Sequence, residues 1–162
     1  MRSRVRALGH PVHPMLIVFP LGLFVAAVIF DLVRVLTGDD TFGEVGYWNI
    51  AAGLVGAVLA AATGLADWTA IPAGTRARRI GLLHGAGNTV VLLLFLVSWL
   101  LRMDETAHVA GPGVFALEVV AIGIGAAAAW LGGELVDRLG IGVDEDANPD
   151  APSSLSGRPK VG

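Results

Sequence analysis

His10-Pro11-Val12-His13-Pro14 sets two imidazoles among two prolines, directly ahead of an apolar run from Met15 to Leu36. Imidazole nitrogens ligate haem iron, zinc and copper, and they exchange protons near neutral pH. Histidine is costly in lipid, so an imidazole at the lip of a membrane segment is by default a functional candidate. His84 lies inside a second apolar run, Ile80–Leu101, about 6 Å past its start at 1.5 Å per residue. Asn88 follows one helical turn later on the same face. Gly81 and Gly85 flank His84, which leaves room for a partner backbone or a flat ligand.

Three readings of His84 stay open. It ties helices together through Asp67 or a backbone carbonyl, it ligates a cofactor or metal, or it carries a proton or substrate. As an axial ligand of b-type haem it needs a second imidazole across a flat cavity. His13 is the first candidate and His10 the substitute, with Asp67 and Asn88 to orient them. Zn²⁺ or Cu²⁺ bound by the same histidines, with Asp67 or Glu134 as oxygen ligand, is the other metal reading. The plainer alternatives put His10 and His13 against phosphate headgroups and pair Asp67 with Arg76, Arg78 or Arg79. Glu134 and Arg138 are four apart and suit a surface pair.

A separate polar layer holds Asp31 and Glu118, each about five residues inside an apolar run. On adjacent helices the two carboxylates would share a proton or a cation. Pairing of Asp31 with Arg34, one turn away, is the simpler expectation.

Four apolar runs must position these residues: Met15–Leu36, Tyr47–Ala66, Ile80–Leu101 and Gly111–Gly133. Each reaches the roughly 20 residues that a helix needs to cross a bilayer. The chain of 162 residues is 54% hydrophobic and only 15% charged, against about 25% charge in a soluble domain. The expected fold is all-α, one polytopic bundle of four transmembrane helices at about 14–36, 47–68, 80–101 and 112–137, within a domain of residues 1–139. Pro11 and Pro14 should hold His10 and His13 out of the α region, and Pro20 should bend the first helix. Stripes of small residues, Ala52-Gly56-Ala60-Gly64 and Ala121-Gly125-Ala129-Gly133, suit close packing within the bundle, with a homodimer as the alternative. Nine Arg and Lys residues fall on the side of the termini and two, Arg34 and Arg102, on the other. By the positive-inside rule both termini are cytoplasmic, in a bacterial inner membrane. The first span is too long for a cleaved signal and is expected to be retained. Residues 140–162, rich in Asp, Pro and Ser, read as a disordered cytoplasmic tail without chemistry.

Three blocks also carry a resemblance: Gly9-His10-Pro11-Val12-His13-Pro14-Met15-Leu16-Ile17-Val18-Phe19-Pro20-Leu21-Gly22, Gly64-Leu65-Ala66-Asp67-Trp68 and Leu83-His84-Gly85-x-x-Asn88. Together they resemble the domain of unknown function 2231 family of small bacterial membrane proteins, from about Arg4 to Arg138. That resemblance implies a redox setting for the family, because relatives are sometimes joined to Rieske-type or cytochrome-type domains, though this chain carries no such domain. Many relatives also place a histidine where this chain has Val18, so ligation here would fall to His10 or His13.

The leading expectation is therefore a membrane redox component that binds b-type haem, or contacts quinone, near the cytoplasmic face. A small transporter using Asp31, Glu118 and His84 along a proton path is the second reading. A cofactor-free structural subunit or assembly factor is the third. No cysteine is present, which excludes disulfides and thiolate-held clusters. Motifs of nucleophilic, phosphate-binding or zinc-protease enzymes are missing, so a stand-alone enzyme is not expected. The basic residues are too few, and too well explained by topology, for nucleic acid.

Overall fold

The computed structural model describes residues 1–156. Four helices are long and apolar enough to cross a membrane. A two-stranded hairpin leads in, with β1 (Arg6–Ala7) antiparallel to β2 (His10–Pro11). Leu8 and Gly9 turn it, both with positive φ. A short helix α1 (Val12–Leu16) follows and joins α2 (Val18–Thr37) through Ile17, whose backbone stays in the α region. The other spans are α3 (Asp40–Ala70), α4 (Arg76–Leu101) and α5 (Pro112–Gly133). A π-helical turn, Glu134–Arg138, closes α5.

His10 is non-helical, as its proline neighbour requires, but His13 is not. Pro14 falls early in α1, where its missing N–H costs nothing, so the helix takes in His13 as well. The interruption near Pro20 falls at Ile17, four residues before Leu21 accepts the helical pattern again (Leu21 N–H to Ile17 O, 3.2 Å). The second span starts earlier than its apolar run because Asp39 caps it. The Asp39 carboxylate accepts from Thr41 N at 3.0 Å, and that bonding holds its pKa below the ordinary range. Thr75 caps α4 in the same way, accepting from Arg78 N at 3.1 Å. Gly38 ends α2 in the left-handed conformation at φ 75°.

In the bundle α2 packs on α3, α3 on α4, and α4 on α5, with a slighter contact from α5 back to α2. The first and third spans thus lie across a diagonal. They meet in the middle of the core, where Phe24 and Phe95 stack with centroids 4.1 Å apart. Ala27, Ile50, Val91 and Ala121 complete that core. Small residues of α3 admit the side chains of the first span: a Cβ on Gly53 would lie 2.6 Å from the Phe24 ring, and one on Gly46 would lie 3.0 Å from Asp31 Oδ1. Within the stripe itself, a Cβ on Gly56 would lie 3.1 Å from Pro20 Cδ and one on Gly64 2.8 Å from His13 Cε1, so both glycines face the first span inside the bundle. Outward-facing Val18, Leu21, Ile29, Leu59, Leu93 and Val120 are exposed, as lipid-facing residues are.

The segment after Gly140 differs from expectation. Its acidic residues fold back on the basic N-terminus: Asp144 lies 2.8 Å from Arg6 and 3.2 Å from Arg2. The N-terminal ammonium donates to Gly140 O at 3.0 Å, and Gly142 N to Met1 O at 2.8 Å. Composition showed no apolar face there, but charge complementarity to Arg2 and Arg6 needs none. The rest of the expected tail, residues 157–162, lies outside the described residues.

Gly53→Ala should push the Phe24 ring off Phe95 and destabilise the bundle by about 1–3 kcal/mol, as overpacked cores do. Gly22→Ala, inside α2 with nothing within 4 Å of the new methyl, should not destabilise and should gain up to about 1 kcal/mol, because alanine is the better helix former. Unfolding of both variants in mixed micelles checks the pair.

Candidate functional site

The chemistry-bearing residues fall in two layers, at opposite ends of the Phe24–Phe95 core. At the end that carries the termini, His13 and His84 approach across the bundle, with ring centroids 6.3 Å apart and planes at 84°. His13 Nδ1 lies 2.8 Å from Ala60 O on α3, and His84 Nδ1 lies 2.8 Å from Ala128 O on α5. A carbonyl can only accept, so each Nδ1 carries the proton and each Nε2 of the neutral ring is bare. That is the tautomer of metal-ligating histidines, whose far nitrogen is fixed by a carbonyl or carboxylate. Asn88 Nδ2 stands 3.4 Å from His84 Nε2 and donates a shorter bond, 2.9 Å, to His84 O.

Glycines seat both rings. A Cβ on Gly64 would lie 2.8 Å from His13 Cε1, and one on Gly132 would lie 3.0 Å from His84 Cε1. Both histidines are half-buried and Asn88 is exposed, so this layer opens toward the bundle surface.

Three expected companions stand elsewhere. Asp67 neither pairs with the Arg76–Arg79 cluster nor bonds a histidine. Its Oδ1 accepts from the backbone N–H groups of Arg4 and Val5, at 2.6 and 3.3 Å, and anchors the N-terminal segment. Of that cluster, Arg78 instead caps α3, donating to Trp68 O at 2.5 Å and Ile71 O at 3.1 Å, with its guanidinium 3.6 Å over the Trp68 ring. Glu134 pairs with Arg76 at 2.5 Å, not with Arg138, because α4 lies beside the end of α5. His10 is exposed on the hairpin, with Nε2 3.3 Å from Ser154 Oγ. Among the described residues no group of three or more His, Cys, Asp or Glu is arranged to hold a metal ion. A zinc or copper site with Asp67 or Glu134 as ligand is therefore not assembled.

The opposite layer does bring Asp31 and Glu118 together, through a residue that the sequence analysis counted only among the charges on the side away from the termini. Arg102 is fully buried between them. Its Nη1 donates to Asp31 Oδ2 at 2.8 Å and to Glu118 Oε1 at 2.9 Å. Its Nη2 donates to Asp31 Oδ1 at 2.9 Å and to Gly43 O at 2.8 Å, and its Nε donates to His108 O at 2.7 Å. All five guanidinium N–H groups are thus used. Ser98 donates its hydroxyl to Glu118 Oε1. His108, stacked 4.0 Å from Tyr47, lies with Nδ1 2.9 Å from Arg102 O. Arg34, expected beside Asp31, pairs instead with Asp40 at 3.0 Å. The signal for Arg102 was available: two intramembrane carboxylates need a countercharge, and Arg102 directly follows the third apolar run.

Fold and site together define a four-span α-helical membrane protein, with an imidazole pair in one layer and a buried ion triad in the other. A family model described as "Predicted membrane protein (DUF2231)" matches residues 9–145. The chain belongs to that family. No curated protein and no solved structure matches it.

Arg102→Met leaves the buried Asp31 and Glu118 carboxyl groups without their countercharge and hydrogen-bond donors and should cost about 3–5 kcal/mol, or prevent accumulation. Adding Asp31→Asn and Glu118→Gln to that variant should restore much of the loss. Detergent unfolding of the single and triple variants checks this, and equal stability of the single variant and the wild type would contradict it.

Proposed function

We propose that this protein is a membrane redox component whose His13 and His84 are the axial ligands of a b-type haem. One observation carries the reading: both imidazoles set Nδ1 at 2.8 Å from a backbone carbonyl, which can only accept, so in a neutral ring Nε2 is the unprotonated nitrogen. Their placement supports it: the two rings approach each other across the bundle, with centroids 6.3 Å apart. The donor count supports haem over a bare ion. Two protein ligands are too few for a protein-built zinc site, whereas haem iron needs only axial donors.

The residues then divide the work. Ala60 and Ala128 carbonyls hold the ring tautomers. Gly64 and Gly132 let the imidazoles lie against the helix backbones. Asn88 holds His84 Nε2 only by a long contact, the one a ligand would replace. When bound, the haem supplies one-electron transfer. The same bare Nε2 accepts a quinol O–H but cannot donate to a quinone carbonyl, which makes the reduced quinone the partner this tautomer favours. His10 has no part in ligation.

The setting we infer is a bacterial inner membrane with the terminal face in the cytoplasm. Among the described residues Arg2, Arg4, Arg6, Arg76, Arg78, Arg79 and Arg138 lie at that end and Arg34 and the buried Arg102 at the other, and this excess supports the orientation.

A reduced-minus-oxidised absorption spectrum of the protein, purified in mild detergent from cells supplied with haem precursor, should show a b-type signal. His84→Ala should abolish it, His13→Ala should abolish or weaken it, and His10→Ala should leave it unchanged. A folded but colourless wild-type protein would overturn the haem reading.

A further inference from the structure

We propose that the Asp31–Arg102–Glu118 cluster is a proton-binding site, with the proton on Glu118 Oε2 and exchange through a cleft on the face opposite the termini. This site is independent of the histidine pair. One guanidinium faces two carboxylates, and all three side chains are at most 2% exposed. With both acids ionised the cluster keeps a net negative charge in a medium that does not tolerate one. One bound proton makes it neutral.

The hydrogen-bond inventory says where that proton sits. Both oxygens of Asp31 accept from Arg102. Glu118 Oε1 accepts from Arg102 and Ser98. Glu118 Oε2 is buried and has no partner. Asp31 Oδ2 and Glu118 Oε1 are bonded to the same Nη1, so the two carboxyl groups stand side by side. A single spare oxygen suits a proton. It does not suit a Ca²⁺ or Mg²⁺ ion, which takes six or more oxygen ligands.

The other groups facing the cluster leave that proton to Glu118. From α3 come the Gly43 carbonyl, which accepts from Arg102, and Tyr47, whose ring stacks on His108. From the turn after α4 comes His108, whose carbonyl and Nδ1 are both engaged with Arg102. A cleft of about 430 Å³, lined by Arg34, Asp40, Glu105, Ala110 and Gly111, reaches Arg102 from the outside. Arg34 is held by Asp40 within it, so its charge is already answered. The cleft gives water a route toward the cluster while the lipid-facing sides stay apolar.

The test is infrared difference spectroscopy on the full-length protein in lipid nanodiscs, titrated in pH and exchanged into D₂O. The expected result is a carboxylic-acid C=O band near neutral pH that is lost at high pH, recovers on return, and shifts in D₂O. Glu118→Gln, which is isosteric, should remove it. Gly111→Phe, whose new side chain would enter open space in the cleft, should slow the D₂O shift several-fold without removing the band. A wild-type spectrum with no such band, or a band that survives Glu118→Gln, overturns the proton site. Exchange as fast in Gly111→Phe as in the wild type overturns the route. Absence of the band in the wild type overturns the site even if a variant fails to fold.

Discussion

Arg102 holds one end of this molecule together. Its planar fork offers five N–H groups in fixed directions, and five acceptors from four separate parts of the chain receive them: Asp31 on α2, Gly43 at the start of α3, Glu118 on α5 and His108 in the turn between α4 and α5. A lysine could not do this, since an ammonium has three donors and no fork. Burying three ionisable groups is expensive, and the cost is offset only because nearly every donor and acceptor is matched. The same contacts hold Ala107 and His108 in left-handed backbone conformations, φ 54° and 51°, that non-glycine residues rarely adopt. A chain satisfying all of this at once has few alternative packings, so the register of the helices is set from this end.

The other end is built from weaker parts. His13 and His84 are each tied by one bond to a backbone carbonyl, and both are half-buried. The triad and the Phe24–Phe95 stack supply rigidity, and the imidazole layer opens toward the bundle surface. Histidines on diagonal spans can meet only if the bundle interior is narrow there. Gly64 and Gly132, which leave the rings lying on backbone, make it so. The N-terminal hairpin, anchored by Asp67 and by acidic residues after Gly140, covers the same end without ligating anything.

The membrane class was legible in the sequence because it depends on local quantities. Run length, apolar content and the caps Asp39 and Thr75 act within a few residues, and lipid leaves a chain of long apolar runs little choice but to cross it as helices. The importance of His13, His84, Asp31 and Glu118 was legible for a related reason, since polar groups in hydrocarbon stand out against their neighbours. Their partners were not legible. Arg102 read only as a charge on the side away from the termini because it ends an apolar run. Asp67 read as a partner of nearby arginines or a histidine, yet it found two backbone N–H groups some sixty residues away, at Arg4 and Val5. Sequence spacing ranks partners by local distance, whereas a folded bundle ranks them by what must be desolvated together. What the amino-acid order determined was which segments enter the membrane and which residues are out of place there. Only the tertiary structure decided which of those residues meet, because four spans can be arranged in several ways and the countercharge to a buried carboxylate is chosen across helices, not along them.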